Sequence, residues 1–398
     1  MPLLPLGYSS NLHQAEDVSA LVEVIGTFTT QARQRLGWDR LGLDLRLGST
    51  AIAEMSRDPF ARSRLRRALD QAGASAHTLN AFPLRPFQAA VVKADAYLPD
   101  WSEAARENDT IAIIPIALAL SDEPVVTVST VPGSYRPFGP VRNDPRIIAQ
   151  ALGRWAAVAA HAARETGRRV VLALEPEPWC FLETSHDSAA FWRGPLQEHG
   201  LPACSALLGG DPRAARAALA THLGICFDTC HLSLAFEDQA AAVARLQAAG
   251  ATIAKCQFSA APEVREPGRD TAGVRALRAL AEPRFMHQTA AASATGSLSK
   301  VEDLDQLERC LARLPDATAV RSHFHTPIFR PAQERGLSST IADSRRGLAA
   351  CLAAGCTHIS VETYTWSVLA DNDGDILAGT VRELETLKEL VEAEGARR

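Results

Sequence analysis

No Cys-x-x-Cys pair occurs among the eight cysteines of this 398-residue chain. That absence disfavours zinc-ribbon spacing, and scattered single cysteines read as reduced thiols rather than a disulfide framework. No run reaches the roughly 18 uninterrupted apolar residues of a membrane helix, so no membrane insertion is expected. Basic residues are not in excess: 41 Lys and Arg stand against 46 Asp and Glu, a net charge of −5. There is thus no electrostatic footprint for nucleic acid or an anionic membrane. The opening Met-Pro-Leu-Leu-Pro-Leu-Gly lacks a charged n-region and a long apolar h-region. No signal peptide is expected from it, and the cytoplasm is the expected location. No Gly-x-Gly-x-x-Gly follows the first apolar run, which disfavours a dinucleotide-binding doubly wound sheet.

What is present is a regular alternation. Hydrophobic residues make up 46% and charged residues 22%, ordinary values for a globular enzyme. Short apolar runs near 5–11, 41–47, 77–83, 124–131, 169–176, 223–229, 252–259 and 358–364 read as strands. Amphipathic runs such as 145–167, 239–249 and 375–395 read as helices between and after them. Eight strands alternating with helices predict an α/β fold, a parallel (β/α)8 barrel, over a single domain 1–398. Two more strand-like pieces, Phe285–Thr289 and Val320–Ile328, fall between the seventh and eighth strands. They make 261–340 an expected insertion over the barrel mouth, with 291–299 as a mobile loop.

Three strands run from an apolar core into acid: Leu-Ala-Leu-Glu175-Pro-Glu177, Ile-Cys-Phe-Asp228-Thr-Cys-His231, and Ile-Ser-Val-Glu362. Side chains alternate across a strand, so Ala173, Glu175 and Glu177 share one face. Cys226 with Asp228, and Ser360 with Glu362, share faces in the same way. In a parallel barrel the C-terminal strand ends line the active-site mouth. Carboxylates and imidazole meeting there suit a divalent ion such as Mn, Mg, Zn or Fe. The plainer reading is that each acid caps the helix that follows it. In the insertion, Arg321, His323 and His325 are expected on one strand face, with the two imidazoles aimed at one ion or packed within a hairpin; His287 and Gln288 are weaker candidates. Asn11, His13 and Asn80 stand at early strand ends as substrate contacts or ordinary loop caps.

Leu-Ala-Leu-Glu175 with Phe-Leu-Glu183, Phe-Asp228-Thr-Cys-His231-Leu and Ile-Ser-Val-Glu362-Thr resembles the xylose-isomerase-like TIM barrel superfamily. The resemblance implies Glu175 and Glu362 as metal ligands and acid/base pair, Asp228 as a third ligand, and His231 as a substrate contact. Glu183 and Glu177 are implied as further substrate contacts. Where sugar epimerases of that group carry a fourth ligand, a histidine on strand seven, this chain has Gln257. The AP-endonuclease branch needs a histidine before the Pro-Gly after strand four, and here Val131 stands there. That branch also holds metal through an Asp-x-His between strands seven and eight, which His323 and His325 resemble. More narrowly, Glu175-Pro-Glu177-Pro, Met-His287-Gln, His323-Phe-His325-Thr-Pro and Val-Glu362-Thr-Tyr-Thr-Trp366 resemble EboE-type metabolite traffic proteins. The implied activity is metal-dependent isomerisation or epimerisation of a small, sugar- or polyol-like metabolite; metal-dependent carriage of such a metabolite is the alternative, and phosphodiester hydrolysis comes third. Oligomerisation stays open.

Overall fold

The computed structural model describes residues 5–329, 337–368 and 375–396. Eight parallel strands close into a barrel: β1 (Leu6–Ser9), β2 (Leu41–Arg46), β3 (Ala74–Asn80), β4 (Val125–Thr130), β5 (Arg169–Leu174), β6 (Leu223–Asp228), β7 (Ile253–Phe258) and β13 (Ile359–Val361). They pair in chain order, and β13 closes the ring between β7 and β1. Seven strands lie within their expected runs, and β3 begins three residues before the expected 77–83. Helices Pro145–Thr166, Gln239–Ala248 and Ile376–Ala396 likewise match the amphipathic stretches. Their starts are set by local chemistry: Asp144 and Asp238 cap the first two by accepting from backbone N–H groups at 2.8 Å. No described helix is long and apolar enough to cross a membrane.

Between β7 and β13 the chain builds a second, antiparallel sheet from β8 (Pro262–Arg265), β9 (Thr289–Ser293), β10 (Leu298–Val301), β11 (Ala317–Ser322) and β12 (Ser338–Ser339). It has its own core, in which Val264, Leu277, Ala291, Val301, Leu307 and Val320 are buried. This corrects two expectations. The stretch 291–299 is no loop: most of it is the β9–β10 hairpin, with Ala292 opposite Leu298. Small residues there read as turn formers, yet alanine suits a strand buried on both faces. The proposed His-x-His strand also fails, because β11 ends at Ser322 and His323 and His325 follow it in irregular backbone. Arg321 does stay on the strand, and its guanidinium goes to Glu263 and Asp343 rather than to the histidines.

The barrel interior is more polar than the usual aliphatic filling. Lys255, fully buried, lies 2.8 Å from Asp44 and 2.9 Å from Ser129 Oγ. Ser360 donates to Asp44 at 3.0 Å, and Thr127 bonds His358 at 2.8 Å. A buried charge is tolerable only when paired and hydrogen-bonded, and this one is both.

Candidate functional site

The mouth assembles its acids from three strand ends. Glu175 and Glu177 follow β5, Asp228 ends β6 and Glu362 follows β13; all four are buried. Oxygens of Glu175, Asp228 and Glu362 lie within 4.8 Å of one another. Asp228 serves both roles weighed for it. One oxygen caps the next helix, accepting from the N–H groups of Cys230 and His231 at 2.7 and 3.0 Å. Its other oxygen is buried without a hydrogen-bond partner, as are Glu175 Oε2 and Glu362 Oε2. Glu362 Oε1 accepts from Asn11 Nδ2 at 2.5 Å. Burial first, then the neighbouring carboxylates, push the Glu175 and Glu362 carboxyls well above the ordinary carboxylate range. Burial also raises Glu177 and Asp228, with His325 holding Asp228 back.

Three imidazoles meet beside these acids. His231 Nε2 and His323 Nε2 are 3.1 Å apart, and His323 Nε2 and His325 Nε2 also 3.1 Å. The opposite nitrogens decide the tautomers. His231 Nδ1 faces the Pro176 carbonyl at 2.9 Å, and His325 Nδ1 the Glu362 carbonyl at 2.8 Å. A carbonyl only accepts, so both Nδ1 atoms carry the proton. His323 Nδ1 meets Gln288 Oε1 at 2.7 Å, and the orientation of that amide is set because its nitrogen faces Tyr97 Oη and the Pro178 carbonyl. All three Nε2 atoms therefore present lone pairs to one another. Burial holds His231 down to about 3 and His325 to about 4, and His323 falls well below its ordinary value for the same reason, so protonation does not relieve the contact. A divalent cation held among them would. Tetrahedral zinc with Zn–N near 2.0–2.1 Å spaces its ligands at about 3.3 Å, and imidazoles oriented through Nδ1–H to oxygen are the usual support for metal-bound histidines. Glu177 Oε2, 3.1 Å from His231 Nε2, offers an anionic ligand.

Two ligand sets thus lie side by side: Glu175, Asp228 and Glu362, and His231, His323 and His325. They are linked, since Glu175 also groups with Glu177 and His231, and Asp228 with Cys230 and His325. Orphaned carboxylate oxygens and facing imidazole lone pairs fit a divalent ion in either set.

Other residues singled out from the sequence fall elsewhere. Gln257 is buried at the register of Asp228 and Ser360, but its carbonyl accepts from the Cys226 thiol while its Nε2 has no partner. Glu183 binds Lys300 at 2.8 Å and borders a smaller cavity behind His231 instead of the main cleft. Asn80 caps its own loop through Phe82 N–H at 2.8 Å. His13 packs on Phe28 and does not line the cleft. His287 supports the site from behind: Nδ1 bonds the His323 carbonyl at 2.8 Å and Nε2 lies 2.9 Å from Glu282. Val131 is buried, so no imidazole comes from the end of β4. Sequence reasoning missed the aromatic part of the cleft, including Phe87, Tyr97, Phe285 and Tyr364. Tyr364 was within reach, because it lies two residues beyond Glu362; Phe87 and Phe285 carry no local signal.

Comparison with family models and with curated proteins gives no match. Among solved structures, similar chains include xylose isomerase domain proteins. A xylose isomerase domain protein from Planctomyces limnophilus is 11% identical, over 99% of this chain and 98% of that one, with a TM-score of 0.45. The IOLI protein with a binding zinc atom is 9% identical, over 99% of each chain, at 0.43. An AP endonuclease, family 2, from Brucella melitensis is 14% identical, over 64% of this chain and 79% of that one, at 0.35.

Proposed function

We propose that this chain is a divalent-metal-dependent isomerase or epimerase acting on a small hydroxy-carbonyl metabolite. The observation that carries the reading is the pair Glu175 and Glu362, two buried carboxyls with raised proton affinity that come from different barrel strands and meet, with Asp228, within 4.8 Å. A bound ion would polarise the substrate carbonyl and acidify the adjacent C–H. Glu175, Asp228 and Glu362 would hold one ion, and His231, His323 and His325 with Glu177 a second. One glutamate takes the carbon-bound proton as carboxylate, and the other, protonated, delivers one to the neighbouring position. Asn11 fixes the Glu362 carboxyl by its hydrogen bond, which leaves the other oxygen for proton transfer. The buried Lys255 ammonium lowers the proton affinity of Glu175, whereas at Glu362 its partner Asp44 works against it and raises the carboxyl.

The test is exchange of a carbon-bound hydrogen of hydroxyacetone or a related hydroxy ketone with solvent deuterium. Glu175→Gln and Glu362→Gln should each reduce exchange by about two to four orders of magnitude, with metal content determined on the same samples. Binding of such compounds without exchange would make the chain a carrier, in keeping with its resemblance to metabolite traffic proteins. A second reading, hydrolysis of a small phosphoester, is favoured by one observation: two linked ligand sets are what two-ion hydrolysis requires. Phosphate release from p-nitrophenyl phosphate by metal-loaded protein separates the two.

A further inference from the structure

The cleft is lined by two kinds of side chain, and Tyr364 joins them, its ring 4.6 Å from that of His325 and its hydroxyl 3.5 Å from His323 Nε2. One kind is polar, namely Asn11, the acids and the imidazoles; the other is apolar, namely Phe82, Pro83, Phe87, Val92, Phe285 and Met286. Phe87, Phe285 and Tyr364 form a ring cluster with centroids 4.9–5.0 Å apart, separate from the main core. The Tyr97 hydroxyl is already engaged, donating to Glu177 at 3.3 Å and accepting from Gln288 at 2.6 Å. Among the described lining residues the single cation is Lys93, which is held by Asp303 at 2.6 Å and by the Glu282 carbonyl at 3.2 Å.

Each part of this excludes a class of ligand. A polyhydroxylated chain reaching from the acids would place its outer hydroxyls against Phe82, Phe87 and Phe285, where a hydroxyl without a partner is costly. A phosphate or carboxylate at the outer end would have to compete with Asp303 for Lys93, the one ammonium among the described lining residues. A hydrocarbon body has neither difficulty, and entering between the rings it replaces ring–ring contacts with contacts of the same kind.

We infer that the substrate is an α-hydroxy ketone or aldehyde bearing an uncharged, apolar, ring-sized substituent, with its two oxygens at the acids and imidazoles and its hydrocarbon body against the aromatic rim. This rests on the proton-transfer reading above and narrows it from sugars and polyols to apolar-bodied hydroxy-carbonyl compounds. The experiment uses two probes with one chelating head, acetohydroxamic acid and benzohydroxamic acid, titrated into metal-loaded protein by calorimetry. Benzohydroxamic acid should bind roughly tenfold tighter or more. In Phe285→Ala and in Phe87→Ala that ratio should fall below about threefold with metal content retained. Equal affinities, a preference for the acetyl compound, or failure of both to bind would overturn the inference, as would a ratio unmoved in both variants. Deuterium exchange into 2-hydroxyacetophenone reads the reaction separately. A ring preference without exchange leaves the substrate class standing and removes the isomerase reading; exchange without a ring preference does the reverse.

Discussion

His323 is the residue on which the imidazole cluster turns, because its Nε2 is 3.1 Å from both other histidines. Its orientation depends on Gln288, whose carboxamide is itself held by Tyr97 and Pro178. Two substitutions separate ligand from support. His323→Gln should reduce bound metal from two ions per chain to one, read by elemental analysis, with the carboxylate set unaffected. Gln288→Leu keeps all three imidazoles but frees one to rotate, and should weaken the same ion by about ten- to a hundredfold. Full occupancy and unchanged affinity in both would make the histidines packing residues. The sequence shows His323 and His325 as a pair, since only Phe324 separates them. It does not show that His231, 92 residues earlier, completes the set.

At the scale of elements, the helix Ile376–Ala396 is fastened to the barrel by one buried acid. Glu383 accepts from Thr363 Oγ1 at 2.7 Å and from the Ile328 N–H at 3.2 Å, joining the helix to the segment after β13 and to the part of the insertion that follows β11. Burial outweighs those two hydrogen bonds and pushes its carboxyl up to about 8. The folded state therefore favours the protonated form more than the unfolded state does. Its contribution is fully present below the unfolded value near 4.5 and is lost as pH rises through about 8. Thermal melts of wild type and Glu383→Gln between pH 5 and 9 should diverge, with wild type losing stability relative to the variant, whose amide cannot ionise. Parallel pH profiles would show that the carboxyl ionises equally in both states. Nothing in the sequence marks this residue: Glu383 is one of several acids on an amphipathic helix, and only docking reveals which of them is enclosed.

Across the whole molecule, stability and metal content should be linked. The cleft gathers four buried carboxyls and three neutral imidazoles around one mouth, and the nearest buried cation, Lys255, is already paired with Asp44. An ion that binds the folded chain and not the unfolded one stabilises it by about 4 kcal/mol at a thousandfold excess over its dissociation constant. Stripping with a chelator should lower the melting temperature by several degrees, and adding back zinc or manganese should restore it. Identical melts before and after chelation, with metal removal verified, would contradict the linkage.

The eight barrel strands and the inward address of Glu175, Asp228 and Glu362 were determined by the sequence alone. Strand period and apolar runs are local signals, and a parallel barrel puts every C-terminal strand end at one mouth. The insertion was visible as extra strand-like pieces, but its register was not, because runs of alanine carry little strand propensity and pair only when another sheet edge is supplied. Only the tertiary structure decided that His231 joins His323 and His325, that Asp228 divides its two oxygens between a helix cap and the site, and that Glu183, Asn80 and His13 point to other partners. It alone assembled the aromatic rim, since Phe87, Phe285 and Tyr364 come from distant segments. The physical reason is one of range. Periodicity reports which way a side chain faces from its own strand, while a site is a set of distances between strands, fixed by closure of the barrel and the docking of the inserted sheet.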